Sequence, residues 1–309
     1  MKCLCCGKPL TDNESNGWHR KCIRRFFNAD ELPLINMDNE SLRELASHSA
    51  SEGYTVAGVQ KKMSLHLSKE GKDCRLTIVG YPAGYILKPQ VEEYRALPQA
   101  EHLVMSMADV CGIKTVPHAL ILKNGIYSYI TRRVDRVNET RLAMEDFCQL
   151  SERVTADKYK GSYEQCANVI KKYSSQIGID MAEFYLRLVF CFVTGNSDMH
   201  LKNFSLIEGA DGYKLSEAYD LLPVNVIMPN DQDETALTLG GKKKNLTRRR
   251  FLELAEHCDL SEKVAENMIR QVLKHKEQLL EMCAESLMPD DMKEDLAELI
   301  KVRCAILEK

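Results

Sequence analysis

Asp198 and Asn203 lie five residues apart in Gly195-Asn196-Ser197-Asp198-Met199-His200-Leu201-Lys202-Asn203, directly after an apolar run over residues 186–193. An aspartate so placed can accept the proton of an attacking hydroxyl. An asparagine one tight loop further on can bind Mg²⁺, and together they supply what phosphoryl transfer needs. A second acid must then help to hold the metal, and Asp220 follows the alternating Tyr213-Lys214-Leu215 segment at a suitable distance. Asp and Asn also crowd into turns because their side chains bond their own backbone. Read alone, the loop is first of all a helix C-cap.

Residues upstream change that reading. Lys88 ends the apolar strand Tyr85-Ile86-Leu87 and faces the inner side of the sheet, where a cation is costly unless an anion meets it. ATP phosphates would serve, as would the carboxylate of Glu101, which opens a helical stretch over residues 100–111. Further back, Tyr54-Thr55-Val56-Ala57-Gly58-Val59-Gln60-Lys61-Lys62 is a small-residue loop with one internal glycine. Such a loop can lay backbone N–H groups over phosphates. Singly, Lys88 reads as a snorkelling edge lysine and Glu101 as a first-turn acid favoured by the helix dipole. The information lies in their joint order ahead of Asp198, Asn203 and Asp220.

The chain has twelve cysteines, eight of them scattered singly and read as buried, reduced thiols. The rest fall in the first 22 residues beside a histidine. Cys3/Cys6 and His19/Cys22 form two pairs with two residues inside each and twelve between them, the layout of a structural, tetrahedral Zn²⁺ site. Cys5 could replace Cys3 or Cys6. A closed four-ligand site leaves no position for a substrate; the bland alternative is a chance cluster of thiols.

These residues need elements to position them. A length of 309 residues suffices for two lobes, and 44% hydrophobic with 28% charged residues excludes a disordered chain. The net charge of −3 gives no global pull toward nucleic acid or anionic lipid. No apolar run approaches the ~20 residues of a membrane span, and no signal-peptide core opens the chain, so a cytoplasmic protein is expected. Period-two alternation marks strands at 63–67, 75–79 and 85–88. A second β region runs over 118–122, turns at Asn124-Gly125 and returns over 126–134. Helical periodicity covers 165–172, 181–193, 264–282 and 292–307. The expected fold is α+β and two-lobed, protein-kinase-like, with a β-rich N-lobe, a helical C-lobe and a small N-terminal Cys/His segment. Its divisions are residues 1–27 (zinc knuckle), 28–50 (linker and a short helix over 42–46), 51–135 (N-lobe) and 136–309 (C-lobe).

Four blocks carry a family resemblance: Val56-Ala57-Gly58-Val59-Gln60-Lys61-Lys62, Glu145-Asp146-Phe147-Cys148-Gln149, Asn196-Ser197-Asp198-Met199-His200-Leu201-Lys202-Asn203-Phe204 and Tyr219-Asp220. Together they resemble the HipA family of bacterial serine/threonine kinase toxins over roughly residues 50–255. The chain looks like a short, HipT-like member without the N-terminal subdomain.

The resemblance implies Asp198 as catalytic base, Asn203 and Asp220 as Mg²⁺ ligands, and His200 and Lys202 as supports of the loop or the transferred phosphoryl group. It implies ATP contacts at Val56, Ala57, Gly58, Lys88 and Glu101, a hinge at Thr131, Arg132 and Val134, and Asp135 near the ribose. Autophosphorylation would fall on Thr55, where the family has serine, and Ala57 stands where HipT has a second serine. A phosphate there would add about −1.5 to −2 charge where ATP must bind. The implied partners are an aminoacyl-tRNA synthetase as substrate, a separate protein supplying the missing subdomain and a DNA-binding antitoxin, with no membrane.

The basic run Lys242-Lys243-Lys244 and Arg248-Arg249-Arg250 reads as a solvated loop and a helix start behind Thr247. The competing functions are a kinase-fold enzyme for a lipid or small molecule, and a non-catalytic zinc-knuckle module that binds nucleic acid or protein.

Overall fold

The computed structural model describes residues 1–11, 14, 16–35, 62–70, 73–77, 83–137 and 140–309. The glycine-containing loop with Thr55, Val56, Ala57 and Gly58, and the helix expected over 42–46, lie outside them. The chain divides into two compact units, residues 1–102 with 116–140, and residues 103–115 with 141–309.

In the first unit, α1 (Arg20–Phe27) buries Cys22, Ile23, Phe26 and Phe27 and ends on Asn28 in a left-handed conformation. Then come β1 (Leu34–Ile35), β2 (Met63–Glu70), β3 (Asp73–Thr77), β4 (Tyr85–Pro89), α2 (Leu97–Val110), whose residues 103–110 count with the second unit, β5 (His118–Lys123) and β6 (Ile126–Arg132). The strands form one sheet in the order β1-β3-β2-β4-β6-β5, antiparallel except where β1 meets β3. One buried row, Met63, Leu87, Ile130 and Ala119, crosses four strands in register; such cross-strand neighbours are the unit of sheet stability. The β5–β6 loop is Asn124-Gly125, with φ of 51° and 79°. Positive φ at both positions gives the type I′ twist that matches the strands. A short ribbon, β7 (Arg136–Val137) with β8 (Thr140–Arg141), follows.

The second unit contains β9 (Met144–Asp146), α3 (Phe147–Leu150), α4 (Tyr163–Tyr173), α5 (Ile177–Val193), β10 (Ser205–Gly209), β11 (Gly212–Leu215), α6 (Val224–Ile227), α7 (Arg248–His257), α8 (Glu262–Leu273), α9 (Lys276–Glu285) and α10 (Asp290–Glu308). From residue 184 to 193 every side chain of α5 is buried, as expected of a helix apolar all round. Around it the chain is not purely helical. β9, β10 and β11 make a three-stranded antiparallel sheet on which the 194–204 loop is strung. The periodic stretch over 264–282 is two helices, α8 and α9, parted at Lys274 and His275.

The basic run is largely neutralised. Lys243 and Lys244 lie near Asp233, Arg248 pairs with Glu266, and Arg249 and Arg250 share Glu253. Thr247 occupies the N-cap position of α7 without a side-chain cap bond. Among the described residues no helix is long and apolar enough to cross a membrane.

Candidate active site

In the first unit, Lys88 near the end of β4 reaches Glu101 in α2. Nζ and Oε1 are 2.6 Å apart, with side-chain exposures of 5% and 0%. Lys88 also lies 5.4 Å from the centroid of the Tyr129 ring, its register partner on β6. A pair this deep is a liability as well as a bond, since removing either partner leaves the other charge buried without this counter-charge. Thr131 and Arg132 end β6, and Thr131 Oγ1 donates to Pro117 O at 2.9 Å. Val134 and Asp135 form the turn beyond. Asp135 accepts from Arg133 Nε and Nη2 at 2.9 and 2.8 Å and from Arg136 Nη1. Burial alone would raise the Asp135 pKa, but the Arg133 hydrogen bonds and the two guanidinium charges outweigh it and hold it below the usual carboxylate value.

In the second unit, the loop is built by the end of α5. Thr194 Oγ1 bonds back to Phe190 O at 3.0 Å. Gly195 then turns the chain at φ +69°, where a Cβ would come within 2.6 Å of Leu299. The positive φ is what favours glycine there, since the tip of the Leu299 side chain could give way. The residues that follow are fixed one by one. Asn196 Oδ1 accepts from Asp198 N at 3.2 Å, and Ser197 Oγ donates to Asp231 Oδ2 at 2.8 Å. The carbonyl of Asp198 accepts His200 N–H at 2.8 Å and Asn203 Nδ2 at 2.8 Å. This leaves the Asn203 amide with its oxygen, a hard donor of the kind Mg²⁺ takes, as its remaining functional atom. Asp198 itself accepts the Tyr159 hydroxyl on Oδ1 at 2.5 Å.

His200 is buried, and neither ring nitrogen has a hydrogen-bond partner among the described residues. Burial, then the charge of Lys158, pushes its pKa down to about 4, against an opposing pull from Asp220. It is therefore neutral near pH 7, and a buried unpaired imidazole is the kind of group a ligand or water completes. Its neighbours include Tyr159, edge-on at 4.9 Å. Lys202 Nζ is held by Asp146 Oδ2 at 2.6 Å, and Asp146 also caps α3 in a reciprocal box with Gln149. Tyr219 OH donates to Lys202 O at 3.0 Å. Next to it Asp220 adopts φ 56°, a left-handed conformation that a non-glycine residue holds at a cost.

The structure thus gathers Asp198, His200, Lys202 and Asn203, with Asp220 beside His200, in one unit, and Lys88 with Glu101 in the other. It adds Tyr159, which the sequence did not single out because it sits in a turn with no periodicity to flag it. It also gives a contact to Asp146, which stood in the Glu145–Gln149 block of the family resemblance without a role of its own. Elsewhere, Cys3, Cys6, His19 and Cys22 converge, their ligand atoms all within 4.8 Å of one another, and Cys5 is not in that set.

A family profile, the HipA-like C-terminal domain, matches residues 54–280. The chain belongs to that family. A Haemophilus influenzae protein named "Putative kinase" is 25% identical over 97% of this chain and 95% of its own length. "Putative kinase Y4dM" of Sinorhizobium fredii is 31% identical over 71% of this chain, which spans only 57% of that relative. Among solved structures, HipA of Shewanella oneidensis, in a toxin–antitoxin complex with HipB and operator DNA, superposes with a TM-score of 0.72 at 18% identity, covering 90% of this chain and 72% of that one. The Helicobacter pylori proinflammatory kinase CtkA gives 0.55 at 13% identity, covering 80% and 95%. The fold of this HipA-like chain is therefore the two-lobed, α+β, protein-kinase-like fold.

Proposed function

We propose that this HipA-like chain is an ATP- and Mg²⁺-dependent protein serine/threonine kinase that acts as the toxin of a HipA-type toxin–antitoxin system. The observation that carries the reading is the Asp198 loop. Two donors on its backbone carbonyl and one on Oδ1 hold a carboxylate still. Asp198 would take the proton of that hydroxyl as it attacks the γ-phosphorus of ATP. Asn203 and Asp220 would supply oxygen donors to Mg²⁺, whose charge offsets that on the transferred phosphoryl oxygens. Neutral His200 and Lys202 would flank the transferred group.

Lys88, held by Glu101, would meet the ATP phosphates together with the backbone around Val56, Ala57 and Gly58. Thr131, Arg132 and Val134 would form the hinge. Asp135, held by Arg133 and Arg136, would lie near the ribose. Thr55 would be the autophosphorylated residue and an aminoacyl-tRNA synthetase the substrate. The Shewanella HipA–HipB–DNA assembly supports small antitoxin partners, one of them DNA-binding, for a cytoplasmic toxin.

The test is intact mass of protein purified from an expressing cell, wild type beside Asp198→Ala, followed by labelling of lysate proteins with radiolabelled ATP. We expect a phosphate on wild type alone, mapped to Thr55, and substrate labelling that needs Asp198. Equal labelling by both proteins would sink the assignment.

A further inference from the structure

We propose that Cys3, Cys6, His19 and Cys22 bind one structural Zn²⁺, and that this centre clips residues 1–27 onto the outer edge of the first unit's sheet. The donor set argues for the metal first. Three thiols and one imidazole make a closed Cys₃His tetrahedron, a standard structural zinc set with no open coordination position. With Zn–S and Zn–N bonds of the usual length, ligand atoms in a tetrahedron stand about 3.5–3.8 Å apart. His19 Nδ1 lies 3.3 Å from Cys6 Sγ and 4.0 Å from Cys22 Sγ, values that straddle this spacing.

The tautomer points the same way. His19 Nε2 lies 2.9 Å from Pro9 O and 3.7 Å from Glu14 Oε2. Both are acceptors, so Nε2 carries the hydrogen and Nδ1 keeps its lone pair toward the thiols. Metal-bound histidines are oriented by such an outer acceptor. Cys3 Sγ in turn accepts the His19 backbone N–H at 3.3 Å.

The backbone is shaped for the site as well. Cys3 and Cys6 bracket a tight turn closed by Gly7 N to Cys3 O at 2.9 Å and Cys3 N to Lys8 O at 2.8 Å, with Gly7 at φ +68°. His19 is the N-cap of α1 and Cys22 lies in its first turn, so the second ligand pair starts the helix.

The clip has a defined target. β5 is the edge strand, and an edge strand presents unpaired backbone groups. At Leu120 both outward groups are taken by this segment: Leu120 N–H donates to Leu4 O at 2.8 Å, and Leu120 O accepts from Trp18 Nε1 at 3.2 Å. Leu4 lies between two ligands and Trp18 immediately precedes a third. Behind them Trp18, Phe26 and Phe27 pack with ring centroids 4.8–5.5 Å apart, and Phe27 meets Tyr85 of β4 at 5.4 Å. Such a short segment cannot bury enough surface to hold itself, so the metal would supply the fixed geometry.

The experiment uses the full chain purified without chelator. Zinc content by elemental analysis should be one per chain in wild type and in Cys5→Ser, and lost in Cys6→Ser and Cys22→Ser. Trp18 is the single tryptophan and is 1% exposed, so its fluorescence reports the clip directly. A strong chelator should shift wild-type emission to the red, and added Zn²⁺ should reverse the shift. Co²⁺ in place of Zn²⁺ should give thiolate charge-transfer bands of a tetrahedral site, a readout that does not depend on any variant folding. Metal-free wild type, a Cys3–Cys6 disulfide in its mass spectrum, or Trp18 emission indifferent to chelation would overturn the proposal.

Discussion

Within the first 22 residues four ligand atoms gather within 4.8 Å of one another, whereas the groups around Asp198 come from segments spread over residues 146–220. The Cys/His cluster turns its bonding capacity inward, with an imidazole facing thiols and a thiol accepting a backbone N–H. The Asp198 loop keeps capacity in reserve. His200 is buried with both nitrogens unpartnered among the described residues, and Asp220 is held in a left-handed conformation. A cluster that closes on itself spends its interactions on fixing the chain. A cluster that stays open pays for that in stability and has something left for a ligand.

If that contrast is right, substitutions in the open site should cost activity far more than stability. Asp198→Ala is the extreme: phosphotransfer should fall about 10²–10⁴-fold, the scale of a general base, with the melting temperature nearly unchanged. Unfolding of Asp198→Ala at a much lower temperature would break the comparison.

The Lys88–Glu101 pair should behave otherwise. Lys88→Met alone leaves a buried carboxylate and should cost about 3–5 kcal/mol. Lys88→Met with Glu101→Leu should recover most of that in denaturant titrations while leaving phosphotransfer as low as in the single variant. A double variant no more stable than the single one would show that the charge is not the problem.

His200 sharpens the contrast through pH. Its pKa in the fold, about 4, lies below the ~6.5 of a free imidazole, so the unfolded chain binds more protons between those values. The associated stability is present above pH 6.5 and is lost as pH falls through 4, on the order of 2–3 kcal/mol. Denaturant midpoints measured without added Mg²⁺ or nucleotide should fall less steeply with acid in His200→Gln than in wild type.

Tyr159→Phe should give the smallest change. Losing one hydrogen bond to a carboxylate is worth about 1.5 kcal/mol, roughly tenfold in kcat, with KM for ATP unaffected. A change in KM alone would move Tyr159 from positioning the base to binding the nucleotide.

Much of this was legible before the structure. Asn124-Gly125 marked its hairpin because the turn needs two residues at positive φ. Lys88 and Glu101 could be paired because a lysine ending an apolar strand demands an anion and the next helix carries one, although that helix starts at Leu97 and Glu101 lies beyond its first turn rather than opening it. The short sheet was harder to see: β9 has three residues, and its partner β10 follows about 60 residues later, so no local pattern announces the pairing. The break between α8 and α9 was invisible for another reason. Lys274 keeps helical dihedrals and the chain leaves them only at His275, at φ −91° and ψ 2°, while neither Gly nor Pro interrupts the apolar phase. Tyr159 and the Asp146–Lys202 contact escaped because a hydrogen bond spanning 39 or 56 residues leaves no trace in spacing.

The left-handed backbone at Asp220 also bears on how this protein could decay. Gly relieves that conformation and Asn tolerates it, and either is one nucleotide change from an aspartate codon. Both would remove the proposed metal carboxylate while suiting the backbone conformation. For a protein proposed to arrest its own host, the backbone offers no resistance at this position. Inactive copies are therefore expected to carry Asn or Gly at position 220 more often than a uniform scatter of lesions would give.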